Sequence, residues 1–371
     1  MRRAMLYFVI FLILLLVSII IFLTINPVFG GNPSKQQQEK FEKLPNYQNG
    51  KFTNQVATEM NMGISGMFKM IKESIFPGDN DRSPTGDLPI SKFDWDMVKS
   101  EEDSLTWFGH STILLSIDNK KILVDPMLGP RPSPVSFAGG SKRYSQDLLY
   151  IIEELPPIDA VFITHDHYDH LDYTSILKLM EKGSHFFVPL GVSTHLIRWG
   201  VGKERITELN WWDETDFNGL TIALTPSKHF SGRGLLNRNS TLWGGWVILG
   251  ENTRFYTSGD GGYDKHFKEI GEKYGPFDIT LIEGGQYDEL WDWAHMKPEE
   301  ALQAHLDVNG KNMMLIHWAA FTLSYHSWTD PIERALKEAE RLEVNIMAPQ
   351  IGETVPLNRD LPLEPDYWWD F

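Results

Sequence analysis

The stretch "FITHDHYDHLD", Phe162 to Asp172, puts three histidines and three aspartates into eleven residues at the end of an apolar run. A buried strand seldom ends in such a crowd of polar groups unless they bind something, because unpaired charge near a core is costly. His165 and His167 stand at i and i+2, so their rings project the same way while the chain is still extended. Asp169 and His170 follow where the next helix is expected to start, and they approach the same cavity from another angle. The spacing H-x-H-x-D-H therefore offers four metal ligands from one short turn, two for each of two neighbouring ions.

Four ligands leave two metal shells incomplete, and candidates for the rest occur at other strand ends. "TPSKHFSG" places His229 after one apolar run, "FYTSGDGGY" places Asp260 after another, and "MMLIHWAAF" places His317 after a third. Small or glycine residues nearby allow backbone and ligand to approach closely. The chain has no cysteine. Disulfides, zinc knuckles and thiol catalysis are thereby excluded, and any metal must be held by His, Asp or Glu. A formal charge of −16 argues against nucleic acid as a partner, since phosphates would be repelled over most of the surface.

The 371 residues suffice for one large domain or two modest ones. From Asp94 onward, short apolar strands alternate with helices. "LTWFGHSTILLSI", "KKILVDPML", "DAVFIT", "HFFVPL", "LTIALTPS", "WGGWVILG", "TRFYTSGD", "FDITLIEGG", "KNMMLIHW" and "VNIMAPQIG" read as strands. "DKHFKEIGEKYG", "KPEEALQAHLDVNG" and "DPIERALKEAERL" read as helices, as does the stretch from Asp172 to Glu181 before Gly183. Hairpins mixed with helices argue against a simple doubly wound parallel sheet.

The N-terminus is of another kind. "MRR" precedes 22 uncharged residues, Ala4 to Ile25. As a helix these span roughly 33 Å, enough for a hydrocarbon core and longer than a signal-peptide apolar region. An uncleaved anchor is the expectation, with a signal peptide cut near "VFG" (Val28–Gly30) as the alternative. Arg2 and Arg3 favour an N-terminus in the cytoplasm and the rest of the chain across the membrane, with Lys35, Lys40 and Lys43 weighing slightly the other way. Residues 26–93 read as a linker and arm. Within them Ile64, Met67, Phe68, Ile71 and Ile75 recur at helical spacing, as a helix packed on the main domain or lying on lipid.

The H-x-H-x-D-H run, the later His, the Gly-Asp and the final His together resemble the metallo-β-lactamase superfamily. More narrowly, "WFGHSTILL", "ILVDPML", "RPSPVSF", "HYDHLDY", "ELNWWDE", "TPSKHFS", "LWGGWVILG", "GDGGY", "HMKPEEALQAH" and "IHWAAF" resemble the zinc-dependent phospholipases D that hydrolyse N-acylphosphatidylethanolamine. The resemblance implies an α/β fold, an αββα four-layer sandwich over residues 94–371, behind the N-terminal transmembrane helix at 1–25. It implies two Zn²⁺ per chain: His165, His167 and His229 on one, Asp169, His170 and His317 on the other, and Asp260 bridging. A hydroxide shared by two metals would attack phosphorus, with Asp169 taking the displaced proton. Asp125 would orient ligands from behind, and His295 would stand near the substrate phosphate. The expected substrate is a membrane phospholipid, the expected partner a bilayer, and a homo-oligomer is compatible with the same features. A lactonase or carboxylester hydrolase of the same fold is the alternative.

Two positions depart from the family pattern. Gly261 follows the bridging aspartate where a hydroxyl residue is common, which removes a hydrogen bond to the site. Glu283 stands where a neutral residue is expected, as a carboxylate that either repels an anionic substrate or faces elsewhere. His110 is expected to be a hydrogen-bonded core residue. His185, His195, His266, His305 and His326 are expected on the surface or in the core, and Asp166 and Tyr168 carry no assigned role.

Overall fold

The computed structural model describes residues 2–58, 66, 68, 69, 72, 81–135, 139–234, 236–357 and 367–370. The helix expected through Ile64 and Ile75 falls largely outside these residues. A small hairpin of β1 (Tyr47–Gln48) and β2 (Lys51–Phe52) precedes two seven-stranded sheets. One sheet begins β16 (Thr354–Pro356), β3 (Ser104–Trp107), β4 (Ile113–Ile117) and β5 (Lys120–Val124). It continues through β6 (Ala160–Phe162), β7 (His185–Pro189) and β8 (Ile206–Leu209). The other begins β15 (Asn345–Met347), β14 (Gly310–Ile316), β13 (Phe277–Glu283) and β12 (Arg254–Thr257). It ends with β11 (Gly245–Leu249), β10 (Leu220–Thr225) and β9 (Glu214–Phe217).

Each sheet has an antiparallel half and a parallel half. Pairing is antiparallel from β16 to β5 and parallel from β5 to β8. It is antiparallel from β9 to β12 and parallel from β12 to β15. Parallel pairing needs crossovers, whose helices cover the outer faces, so the inner strands are buried on both sides and read as continuous apolar runs. Every residue of β4 and β6 is buried, and the helix Pro298–Asp307 packs on β13 and β14. Between the sheets the Trp246 indole donates to the Ile163 carbonyl at 3.0 Å and lies edge-on to Phe162, with ring centres 5.1 Å apart. This is the four-layer sandwich expected. Its parallel halves deliver the ends of β5, β6, β12, β13 and β14 to one edge.

The structure divides "LTWFGHSTILLSI", which reads as one strand, into β3 and β4. Gly109 and His110 turn the chain between them at φ 82° and 56°. Asp118 and Asn119 form the next turn at φ 46° and 60°, a pair of left-handed residues suited to a tight hairpin. Strands β8, β9 and β16 are additional to those expected. They are short, and β8 and β9 are only half-buried, so no apolar run announces them.

Helix α1 (Arg2–Ile25) is the one helix among the described residues long and apolar enough to cross a membrane, over Arg3–Ile25. Its exit is fastened to the sandwich. The Arg198 guanidinium donates to the carbonyls of Thr24, Ile25, Asn26 and Gly30. The Trp199 indole donates to the Pro27 carbonyl at 2.6 Å, Gly31 N–H to His195 Nδ1 at 3.0 Å, and Arg233 Nε to the Val28 carbonyl at 3.1 Å.

Candidate metal centre

The motif that follows β6 is a turn, not a helix start. The amides of His170 and Leu171 both donate to the His167 carbonyl, at 3.2 and 2.9 Å, and the helix begins only at Tyr173, capped by Asp172. The turn lets four side chains from six residues converge while the strand before it and the helix after it stay regular.

Two clusters form. Ring nitrogens of His165, His167 and His229 lie within 4.8 Å of one another, with His165 Nε2 2.8 Å and His229 Nε2 3.3 Å from His167 Nδ1. Ligand atoms of His110, Asp169, His170 and His317 form the second cluster. Asp169 Oδ2 there lies 3.4 Å from His170 Nε2 and 3.3 Å from His317 Nε2. Asp260 Oδ2 stands between the clusters, 3.1 Å from His170 and His317 and 3.8 Å from His165 and His229. The seven residues expected as ligands are thus brought together, with Asp260 central.

Asp260 Oδ1 is buried without a hydrogen-bond partner, a condition that costs about 1–3 kcal/mol for a group left so. The far sides of the rings are fixed, which sets their tautomers. His170 Nδ1 donates to Asp125 Oδ2 at 2.8 Å, and His229 Nδ1 to the Ala294 carbonyl at 3.0 Å, so each Nε2 lone pair faces the cluster. Imidazole lone pairs and carboxylates converging on a buried point fit a divalent transition metal, zinc among them.

Charge in the cluster is strongly coupled. Burial opposes ionisation of Asp169 and Asp260, but His170 and the bonds from neighbouring imidazoles outweigh it, holding both carboxyls well below their usual range. Burial likewise opposes a charged His170, yet without metal Asp260, Asp169 and Asp125 raise it well above an ordinary histidine, so an ion bound at Nε2 would displace a proton.

Asp125 follows β5 and does more than turn the chain. It accepts from the Thr164 amide at 2.8 Å and the Thr164 hydroxyl at 2.7 Å as well as from His170, and Thr164 Oγ1 lies 3.0 Å from His165 Nδ1. One buried carboxylate therefore orients a histidine of each cluster. His295 lies at the rim, stacked on His317 at 5.1 Å between ring centres and 5.0 Å from the His229 ring.

His110 is a buried, hydrogen-bonded histidine, as expected, and its partner is one of the candidate ligands. Its Nε2 lies 3.0 Å from Asp169 Oδ2, and burial lowers its pKa to about 3, so a neutral ring donates to the carboxylate. Asp166, inside the motif, is fully buried. It accepts from Gly232 N–H at 2.7 Å, Thr241 Oγ1 at 2.9 Å and His195 Nε2 at 3.1 Å. His195 in turn accepts from Gly31. The signal for Asp166 was its position: the i+1 residue of an extended H-x-H faces away from the metals and into the core.

The two departures belong together. A Cβ on Gly261 would lie 2.5 Å from Ser227 Oγ and 3.0 Å from Lys228 N, so a hydroxyl residue does not fit without displacement. Gly261 N–H donates to Glu283 Oε1 at 3.2 Å, beside Met296 N–H at 3.0 Å. Glu283 is fully buried behind the centre, with Oε2 3.8 Å from His317 Nδ1 and Oε1 3.4 Å from His295 Nδ1. It faces His317 and His295 and does not line the cleft.

In front of the centre opens a cleft of about 370 Å³. His167, Asp169, Asp260, His295 and His317 line its floor, and Phe230, Leu290, Trp291, Trp293, Leu323 and Arg238 its walls. Arg238 lies over the Phe230 ring at 4.2 Å.

A family profile described as a beta-lactamase superfamily domain matches residues 120–318. An uncharacterised protein of Mycobacterium tuberculosis is 39% identical over 332 residues, 88% of each chain. The N-acyl-phosphatidylethanolamine-hydrolyzing phospholipase D 1 of Caenorhabditis elegans is 36% identical over 278 residues, 70% of this chain and 77% of that one. Among solved structures, a metallo hydrolase of Ignicoccus hospitalis superposes with a TM-score of 0.53 at 25% identity, covering 68% of this chain and 97% of its own.

Proposed function

The chain belongs to the beta-lactamase superfamily and is a metal-dependent hydrolase; on that premise we propose that it is a di-zinc phosphodiesterase cleaving a membrane phospholipid headgroup. The substrate class proposed is N-acylphosphatidylethanolamine, with water giving phosphatidic acid and an N-acylethanolamine. The observation that carries this reading is a cluster of seven His and Asp ligands on the floor of a cleft walled by aromatic and aliphatic side chains, with one guanidinium at the wall. Apolar walls suit acyl chains, and Arg238 suits a phosphate. The named phospholipase relative of Caenorhabditis elegans supports the same class.

In this reading His165, His167 and His229 would hold one ion and Asp169, His170 and His317 the other, with Asp260 beside both. Bound there, the metals supply Lewis acidity toward phosphoryl oxygens and acidify water. The chain's own groups do the positioning. Asp125 fixes His170 and, through Thr164, His165, while His110 holds Asp169 Oδ2 by a neutral N–H. Asp169, at the cleft floor with Oδ2 held by His110, would take the proton released from water on its other oxygen, Oδ1. His295, half-buried at the rim and facing the cleft, binds the phosphate or returns a proton to the departing alkoxide. Helix α1 is read as a retained anchor, with Arg2 and Arg3 in the cytoplasm and the sandwich across the membrane.

The test is turnover by metal-loaded protein in vesicles containing N-acylphosphatidylethanolamine. Phosphatidic acid and N-acylethanolamine should appear in equal amounts, with about two metals per chain and loss of activity in Asp260→Asn. Turnover of lactones or carboxylesters without cleavage of any phosphodiester would replace this reading with the ester-hydrolase one.

A further inference from the structure

Leu236 is 97% exposed, more than any other large apolar side chain among the described residues. A leucine left in water at a loop tip calls for a reason. The described residues beside it, 230–234 and 237–240, border both the metal cleft and helix α1. Phe230 and Arg238 wall the cleft, whereas Leu236 and Asn237 line a second cavity together with Ile20 and Leu23 of α1. The base of the loop is fixed. Asn239 N–H donates to the Ser231 carbonyl at 3.0 Å, and Phe52 N–H to the Asn239 carbonyl at 2.9 Å. The exit of α1 is fixed too, through Arg198, Trp199, His195 and Arg233. The sandwich therefore does not swing freely about the end of its anchor.

Ile20 lies five residues before the end of α1 at Ile25, about 7.5 Å of helical rise inside the span. A cavity shared by Ile20 and Leu236 is then at the depth of the bilayer surface or below it. We propose that Leu236 docks into the lipid bilayer beside α1, among the acyl chains, and through the described residues 236–240 holds the mouth of the metal cleft against the membrane. The occupant is lipid because the surface is continuous with the membrane-spanning helix itself. Leu236 and Arg238 are two residues apart, so their Cα atoms are separated by less than about 8 Å. That distance is close to the thickness of one headgroup layer, roughly 5–8 Å. The long Arg238 side chain can remain among phosphates while Leu236 sits deeper. The inference rests on the reading of α1 as a membrane span and is independent of which ester is cleaved.

The absence of cysteine makes a single introduced thiol unique for labelling. Full-length protein carrying Leu236→Cys, Leu14→Cys or Lys337→Cys is labelled with an environment-sensitive nitrobenzoxadiazole dye and reconstituted in vesicles of phosphatidylcholine and phosphatidylglycerol. The labels at 236 and 14 should both emit at shorter wavelength and lose emission to nitroxide-bearing lipids, while that at 337, on the helix Asp330–Leu342, loses it to aqueous iodide. Lipid quenching at 14 with iodide quenching at 236 would overturn the docking and leave the anchor standing. Protection of 236 from both quenchers would also overturn it, in favour of a protein cover such as a second copy. A label at 14 quenched only by iodide would overturn the membrane span and the docking together.

Discussion

Replacing Glu283 by Gln tests whether the carboxylate behind the centre serves the metals. The substitution keeps size and shape but removes a charge and converts one acceptor oxygen into a donor. In the wild type, Oε1 accepts from two backbone amides, Gly261 and Met296, and Oε2 faces His317 Nδ1 at 3.8 Å. When an ion beside Asp260 and Asp169 takes the Nε2 lone pair of His317, Nδ1 carries the ring proton. A glutamine therefore meets a donor whichever way its amide turns. If its oxygen keeps the backbone amides, its NH₂ confronts the His317 N–H. If it flips, the two amides lose their acceptor. Either arrangement leaves a buried donor unsatisfied, at about 1–3 kcal/mol. Two full charges at 3.8 Å would interact by about 4 kcal/mol at an effective dielectric of 20, which sets the ceiling. Loss of an outer partner of a metal-ligating histidine typically weakens metal affinity about 10–100-fold. We expect E283Q to fall in that range at the site holding His317, with little change at the site of His165, His167 and His229. Chelator competition monitored by metal content at fixed pH measures this, and melting of the metal-free protein separates affinity from stability. Unchanged affinity at both sites would refute the role assigned to Glu283.

Two further outcomes follow from the same geometry. Gly261→Ser should lower stability by about 1–3 kcal/mol through overpacking, since its Cβ would meet Ser227 Oγ at 2.5 Å. Chemical denaturation of the metal-free protein checks it, and an unaltered midpoint would show that Ser227 yields without cost. Metal uptake should strengthen as pH rises. Burial lowers His317, but Asp260, Asp169 and Glu283 outweigh it and raise its pKa to about 10 in the metal-free protein. Below that pH the ring holds a proton that an ion must expel, so affinity should fall about tenfold per pH unit for each proton displaced. Equilibrium binding of zinc with a competing chelator between about pH 6 and 9 checks the slope, and a flat profile would contradict it.

Much of the centre is legible in the chain because its densest part is local. H-x-H-x-D-H confines four candidate ligands to six residues, and an extended strand running into a turn has few ways to place them apart. His229, Asp260 and His317 are found by the same means, as polar residues ending apolar runs. The mixture of apolar strands with amphipathic helices is readable too, whereas the order of the four layers is implied by the family resemblance and not by periodicity. The strands that escape notice are short or only half-buried: β8, β9 and β16 gain their place from the edges they pair with, which periodicity does not encode.

What the sequence determined by itself is therefore the strand-end positions of the candidate ligands, the chemistry those residue types permit, and an apolar helix of membrane length. What only the tertiary structure decided is direction. That Glu283 faces His317 and not the cleft, that His110 donates to Asp169, and that Asp166 joins the metal-motif turn to Gly31 through His195 are contacts between residues far apart in the chain. The physical reason is that a side chain's partner across such distances depends on how two sheets and an anchored arm pack, and packing is a property of the whole fold. The exposure of Leu236 beside α1 is of the same kind: the sequence shows two leucines in a glycine- and asparagine-rich stretch, and only the fold sets Leu236 next to α1.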